Sequence, residues 1–152
     1  MSEHSKLLDT ISRKTDPDEL RLLMARAKEK GIKEVHEAAF RRLVEVLPAA
    51  APGTIEHDFW KSITAFEEIL TAERGRTTRL GRTRQKVQRV GVAQTLSDWA
   101  TGGASQGFDM LIDLGLPELT GEAVVLRHSD QFEQPVVAAA RERLHGAGHD
   151  SF

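Results

Sequence analysis

Seven cationic side chains fall in a stretch without carboxylates, and this arginine strip (residues 74–89) is the strongest chemical signal in the chain. Its cations are Arg74, Arg76, Arg79, Arg82, Arg84, Lys86 and Arg89, and no Asp or Glu occurs between residues 74 and 97. Residues 1–73 carry 11 basic and 14 acidic side chains, and residues 98–152 carry 3 and 9. Because clustered cations repel one another, the strip indicates an anionic partner, and a phosphate backbone is the commonest one.

Helical spacing divides the strip into a cationic and an apolar face. A helix from Arg79 to about Val90 would place on one face Arg79, Arg82, Lys86 and Arg89. Another face, which can pack inward, would carry Leu80, Val87 and Val90. Before this helix, Arg74 and Arg76 would form a flexible arm around Gly75. The sequence therefore predicts that all seven cations, Arg84 included, bind phosphate, while Gln85 and Gln88 are candidates for base contacts.

Two other interpretations of the strip remain open. Its cations could pair with acidic helices of this protein or of a partner subunit, since the chain has 23 carboxylates. Residues 83–99 could also form a helix-turn-helix around Gly91. In that motif the second helix enters the DNA groove, but here the second helix has no cation, so the first would have to do so.

Catalytic and metal sites are not predicted, and no cofactor is expected. Asn, Tyr and Cys are absent, which excludes from this chain His-Asn-His and GIY-YIG nuclease sites, tyrosine recombinase chemistry and thiolate sites. Short acidic and histidine groupings are expected to be solvated faces, a helix start or a mobile tail: Glu56-His57-Asp58, Asp109/Asp113, Glu118/Glu122 and His145/His149. Trp60 and Trp99 are expected to anchor the core rather than to stack on bases.

Caps and breakers predict the elements that position the strip. Asp16 before Pro17 begins a helix that ends at Gly31, and a second helix ends before Pro48. Thr54 begins a third helix that runs to about Glu73. After the strip, further helices are expected over residues 92–100, 105–114, 117–128 and 135–145. No segment alternates like a strand, so the fold class is all-α, a compact bundle of about seven to eight short helices with an N-terminal helical hairpin.

The domain prediction follows from these elements. It comprises a flexible N-terminus (1–15) with at most a frayed helical turn, a helical hairpin (16–50), a helical domain with the basic arm and helix at 74–90 (51–145), and a disordered tail (146–152). The hairpin at residues 16–47 is a candidate homodimer seam. No apolar run is long enough to span a membrane and no secretory signal is seen at the start, so a cytoplasmic protein is expected.

Several stretches resemble a small all-helical bacterial domain associated with nuclease-containing proteins. They are Phe59-Trp60, Gly75-Arg76-Thr77-Thr78-Arg79, Arg82-Thr83-Arg84-Gln85-Lys86, Gly107-Phe108 and Glu118–His128. The resemblance implies an accessory role in handling nucleic acid and supplies no catalytic residue. The sequence thus predicts a non-enzymatic module that binds nucleic acid, DNA in preference to RNA. The alternative is a protein-interaction or oligomerisation module whose strip docks on acidic helices.

Overall fold

A computed structural model describes residues 3–152, apart from the side chain of His4, and over these residues the chain is all-α, as the sequence predicts. Its helices are α1 (Glu3–Ile11), α2 (Pro17–Lys30), α3 (Lys33–Val46), α4 (Ile55–Arg74), α5 (Gly81–Val90), α6 (Val92–Thr101), α7 (Gln106–Asp113), α8 (Gly121–Arg127) and α9 (Gln134–Gly146). Short 3₁₀ turns occur at Pro117–Leu119 and Ser129–Gln131. The chain divides into two compact units, Met1–Ala49 and Ala50–Phe152.

The first unit contains the predicted hairpin of α2 and α3. The Asp16 side chain accepts a hydrogen bond from the Asp18 N–H at 2.9 Å, and Gly31 ends α2 with a φ of 71°. Apolar residues of both helices form the core, with Leu20 and Leu43 each 0% exposed. The hairpin therefore follows from its local capping chemistry and from the apolar face of each helix.

The N-terminal segment differs from the predicted flexible terminus with at most a helical turn. Residues 3–11 form the complete helix α1, which packs against α3. Ile11 at its end is 1% exposed and joins the core of the hairpin. Burial of this side chain accounts for the longer helix, because tertiary packing contributes more to helix stability than local propensity. Residues 1 and 2 of the predicted terminus lie outside the described part.

In the second unit, α4 crosses the core and contacts α6, α7 and α8. Phe59 and Ile63 of α4 are buried together with Leu96 of α6 and Val124 of α8. Trp99 stacks on Phe59, with ring centroids 5.4 Å apart. Trp60 and Trp99 are partly buried and pack against this cluster. Both therefore serve as core anchors, as the sequence predicts.

The predicted continuous helix over residues 117–128 is wrong, because the chain is extended at Thr120, with φ −71° and ψ 152°. The Thr120 hydroxyl donates to the Pro117 carbonyl at 2.7 Å and accepts from the Ala123 N–H at 3.1 Å. It thus ends a 3₁₀ turn and caps α8. Gly121 then passes close to Trp99, where a Cβ atom would lie 2.5 Å from Cε3 of the indole.

At the C-terminal end, α9 continues through Gly146, and the chain then folds back on it. The N–H of His149 donates to the Leu144 carbonyl at 2.8 Å, and His145 Nδ1 lies 2.5 Å from Asp150 Oδ1. The described residues 147–152 contain no further helix or strand. Across residues 3–152, none of the helices combines the length and apolar character that spanning a bilayer requires.

Candidate nucleic-acid interface

The segment that leads into the strip is tied to α4, unlike the flexible arm that the sequence predicts. Arg74 belongs to the last turn of α4, and Gly75 ends that helix with a φ of 70°. The N–H of Thr78 then donates to Thr71 Oγ1 at 2.9 Å. Farther along, the N–H of Leu80 donates to a carboxylate oxygen of Glu67 at 2.7 Å. The strip therefore begins on a helix and crosses to α5 over a connection held by side chains of α4.

Glu67 is the anchor of α5, and the sequence reasoning missed it. Its side chain is largely buried and accepts hydrogen bonds from Arg84 Nε at 2.9 Å and from Arg84 Nη2 at 2.6 Å. The guanidinium of Arg84 also lies 5.1 Å from the ring centroid of Trp60. The hydrogen bonds to Glu67 raise the pKa of Arg84. A sequence signal exists, because Glu67 is an acidic residue on the same inward stripe of α4 as Ile63 and Leu70.

A second ion pair joins α5 to α6. Lys86 Nζ lies 2.6 Å from Asp98 Oδ2, and Asp98 also accepts a hydrogen bond from the Gln94 amide at 2.8 Å. The bond from Lys86, followed by that from Gln94, lowers the pKa of Asp98. Arg84 and Lys86 thus pair with acidic side chains of their own chain. For these two cations the internal salt-bridge interpretation holds.

The remaining five cations of the strip are exposed and form no ion pair with any residue in the described range 3–152. These exposed arginines are Arg74, Arg76, Arg79, Arg82 and Arg89. On α5, Arg82 and Arg89 are seven residues apart, so they share a face about 10 Å apart along the axis. Gln85 and Gln88 are exposed on the same helix. Arg79 precedes α5 rather than belonging to it.

The predicted apolar face of α5 is only partly correct. Leu80 and Val87 pack against the core cluster of the second unit. Val90, which was expected to point inward, is 39% exposed. The reason is geometric, because Val90 is the last residue of α5 and the chain turns away at Gly91, which has a φ of 88° and a ψ of 171°.

The link between α5 and α6 differs from that of a helix-turn-helix. Gly91 alone separates Val90 from Val92, whereas the motif uses a turn of about three to four residues. In addition, α6 contains no Lys or Arg, and its Asp98 binds Lys86. Of the two helices, only α5 presents cations, so any contact with a groove or backbone would be made by α5.

A cavity of about 130 Å³ lies beside the strip. Leu80 and Thr83 form its wall on the strip side. The aromatic side chains that line the cavity are those of Phe66, Trp99 and Phe108. Ser62 contributes a hydroxyl from α4, and the exposed Gln106 lies at the surface. The cavity thus combines three aromatic side chains with several hydroxyl groups, the amide of Gln106 and the carboxylate of Glu122.

Arg143 of α9 holds the walls of this cavity together. Its Nη1 donates to Glu122 Oε2 at 2.7 Å and to the Trp99 carbonyl at 2.8 Å, and its Nη2 donates to the Gly102 carbonyl. The guanidinium also lies 6.0 Å from the ring centroid of Phe108. Because a cation at a helix C-terminus offsets its unpaired carbonyls, Arg143 both caps α6 and neutralises the buried Glu122.

Asp58 and Glu122, from two of the acidic and histidine groupings, have structural partners. Asp58 Oδ2 lies 2.7 Å from His128 Nε2 and 3.5 Å from Arg127 Nε. Glu122 was expected on a solvated face together with Glu118, but it is 3% exposed and bound to Arg143, because Thr120 separates the two residues into different turns. In the described range, no three His, Asp or Glu side chains converge as metal ligands would.

Comparisons with protein-family models, with curated proteins and with solved structures found no match to this chain. The resemblance to a helical bacterial domain accordingly stays a prediction.

Proposed function

We propose that this chain is a non-enzymatic DNA-binding module whose exposed arginines bind backbone phosphates. The observation that carries the proposal is the state of the strip: five of its seven cations are exposed and form no ion pair within residues 3–152. Arginine binds phosphate through paired N–H donors, which suits it to this role. In this proposal Arg84 and Lys86 position α5, and Gln85 and Gln88 face the ligand.

The anchoring of α5 supports the same conclusion. A flexible cationic tail loses conformational entropy when it binds, whereas a helix held by Glu67 and Asp98 has already lost most of it. The exposed arginines are therefore presented on a preorganised support. A cytoplasmic location belongs to this proposal, since a DNA-binding module of a bacterial type meets its ligand there.

The direct test is the affinity for a short fluorescent DNA duplex, measured by anisotropy at low salt. We expect the double variant Arg82→Ala/Arg89→Ala to bind about tenfold more weakly, because two charge-assisted contacts are lost. Arg141→Ala is the matched control, since Arg141 is an exposed arginine of α9 outside the strip. Equal affinity of the double variant and the wild type would rule out the proposed contact surface.

A self-association function is the second candidate, favoured by apolar exposure on the hairpin. Leu22 is 50% exposed and Ile32 is 38% exposed, and both lie within residues 16–47. In this alternative the hairpin forms a homodimer and the strip docks on acidic helices of the partner. Light scattering tests it: Leu22→Glu should convert a dimer to a monomer, and a wild-type protein that is monomeric at all concentrations would exclude the homodimer.

A further inference from the structure

The cavity next to the strip is lined by a serine hydroxyl that forms no hydrogen bond with the described part of the chain. Ser62 is 5% exposed and lines the cavity. No residue in the described part of the chain forms a hydrogen bond with it. Every fully buried side-chain polar atom among the described residues has a hydrogen-bond partner, so the unpartnered Ser62 hydroxyl is accessible to solvent, and Ser62 lines the cavity. This hydroxyl is therefore available to donate to, and accept from, a ligand in the cavity.

The charge of the cavity favours a neutral ligand. Glu122 is the one ionisable side chain that lines it, and its carboxylate already binds Arg143 at 2.7 Å. The other polar side chains on the walls are hydroxyls and the amide of Gln106. The apolar part of the lining includes the aromatic rings of Phe66, Trp99 and Phe108. An uncharged, flat ring with a few hydrogen-bonding groups matches this lining.

The volume sets the size of that ring. A cavity of about 150 Å³ in another protein binds benzene, and this cavity measures about 130 Å³. The cavity is therefore on the scale of one six-membered ring, and a fused two-ring system would extend out of it. Among nucleobases, the pyrimidines have a single ring.

The position of the cavity connects it with the strip. Leu80 and Thr83 on its wall are adjacent in sequence to the exposed Arg79 and Arg82. A strand whose phosphates contact these arginines would have its bases within reach of the cavity. Bases of a duplex are stacked and paired, so only an unpaired base could enter.

We propose that the cavity is a base pocket that takes one pyrimidine of single-stranded DNA whose backbone lies along the exposed arginines. This inference rests on the proposed function. It adds that the bound DNA is single-stranded and that a pyrimidine is preferred. Phe66 and the part of the Trp99 ring that lines the cavity contact the base, and Ser62 and Thr83 hydrogen-bond to its edge. Thr83 thereby links base recognition to the helix that carries Arg82 and Arg89.

The test compares fluorescent oligo(dT), oligo(dA) and a duplex of equal length, by anisotropy at one salt concentration. Wild type should bind oligo(dT) about tenfold more tightly than oligo(dA), the contribution of one well-stacked base. Thr83→Leu, which narrows the cavity and removes a hydroxyl from its wall, should remove this preference. Equal affinity for the two single strands, or a preference that survives Thr83→Leu, would overturn the base pocket.

A second measurement does not depend on backbone binding. In Trp60→Phe protein, Trp99 is the remaining tryptophan of the chain's two, so its fluorescence reports on the cavity alone. Added thymidine should change this emission in a saturable way, and Ser62→Ala should weaken the binding severalfold. Emission that is unchanged by thymidine would contradict the pocket. Failure of the proposed function would give a different result: the variant Arg82→Ala/Arg89→Ala would then bind every DNA with the affinity of the wild type.

Discussion

Glu67 shows how one buried carboxylate decides where the cationic helix lies. It accepts hydrogen bonds from the Leu80 N–H and from both Nε and Nη2 of Arg84. Leu80 is the N-cap residue of α5 and has no side-chain cap of its own. The carboxylate therefore fulfils the role of a cap. It also neutralises Arg84, a partly buried cation that would otherwise have no acidic partner.

We expect Glu67→Gln to lower the free energy of unfolding by about 1–3 kcal/mol, because charge-assisted bonds to Arg84 and Leu80 are weakened. Urea denaturation followed by circular dichroism measures the change. Glu73→Gln is the control, since Glu73 is exposed on the same helix, and its effect should stay within about 0.5 kcal/mol. Equal stability of the two variants would mean that Glu67 does not anchor α5.

Asp58 makes the stability of the second unit depend on pH. Burial acts to raise the pKa of Asp58, but the hydrogen bond with His128 and the charge of Arg127 outweigh it, so the pKa is lowered. A carboxylate with a lowered folded-state pKa contributes stability above its unfolded value, about 3.9, and loses this contribution as the pH falls through the folded value.

Asp58→Asn should therefore be less stable than wild type at neutral pH, and the difference should shrink once the pH falls below about 4. Urea unfolding at a series of pH values from neutral to acidic measures this convergence. Asp109→Asn, at an exposed position of α7, should follow the wild-type profile throughout. A difference that stays constant into acid would show that the Asp58 carboxylate is not the titrating group.

Among the elements, α8 begins at Gly121, where the backbone passes close to the indole ring of Trp99. A Cβ atom at Gly121 would lie 2.5 Å from Trp99 Cε3 and 3.3 Å from Leu96 Cδ2. No other residue type fits there without displacing Trp99, which stacks on Phe59. The start of α8 is thus fixed by packing as well as by the Thr120 cap.

Gly121→Ala should destabilise the protein by about 1–3 kcal/mol through overpacking, and thermal denaturation measures the loss. Gly103→Ala is the matched control, because a Cβ atom there meets nothing within 4 Å and Gly103 has no positive φ. Its effect should be within about 0.5 kcal/mol. A similar loss in both variants would indicate a backbone effect of glycine replacement rather than a clash with Trp99.

The elements also show which features could be predicted from sequence. Asp16, Thr54 and Ser105 all cap helices as expected, since capping depends on residues two or three positions away. Thr120 has the same chemistry, but Pro117 and the apolar run after it conceal the break. The anchors Glu67 and Arg84 are 17 residues apart, and no local pattern reports a contact at that separation.

At the level of the whole chain, opposite charges are separated along the sequence. Only some of the cations in the strip form ion pairs with acidic side chains of the same chain. Arg84 and Lys86 are paired within the second unit, while the five exposed arginines form no ion pair among residues 3–152. The candidate interface and the base pocket both belong to the unit Ala50–Phe152. Phosphate binding by the exposed arginines is an electrostatic interaction, so it should depend steeply on the salt concentration.

The decisive measurement is the slope of log K against log salt concentration for a DNA duplex. Each phosphate contact contributes about −0.9 to this slope. We predict a steep slope for the wild type, a slope shallower by about 1.8 for Arg82→Ala/Arg89→Ala, and an unchanged slope for Arg141→Ala. A flat line for the wild type, or the same slope in the double variant, would contradict phosphate binding by the exposed arginines.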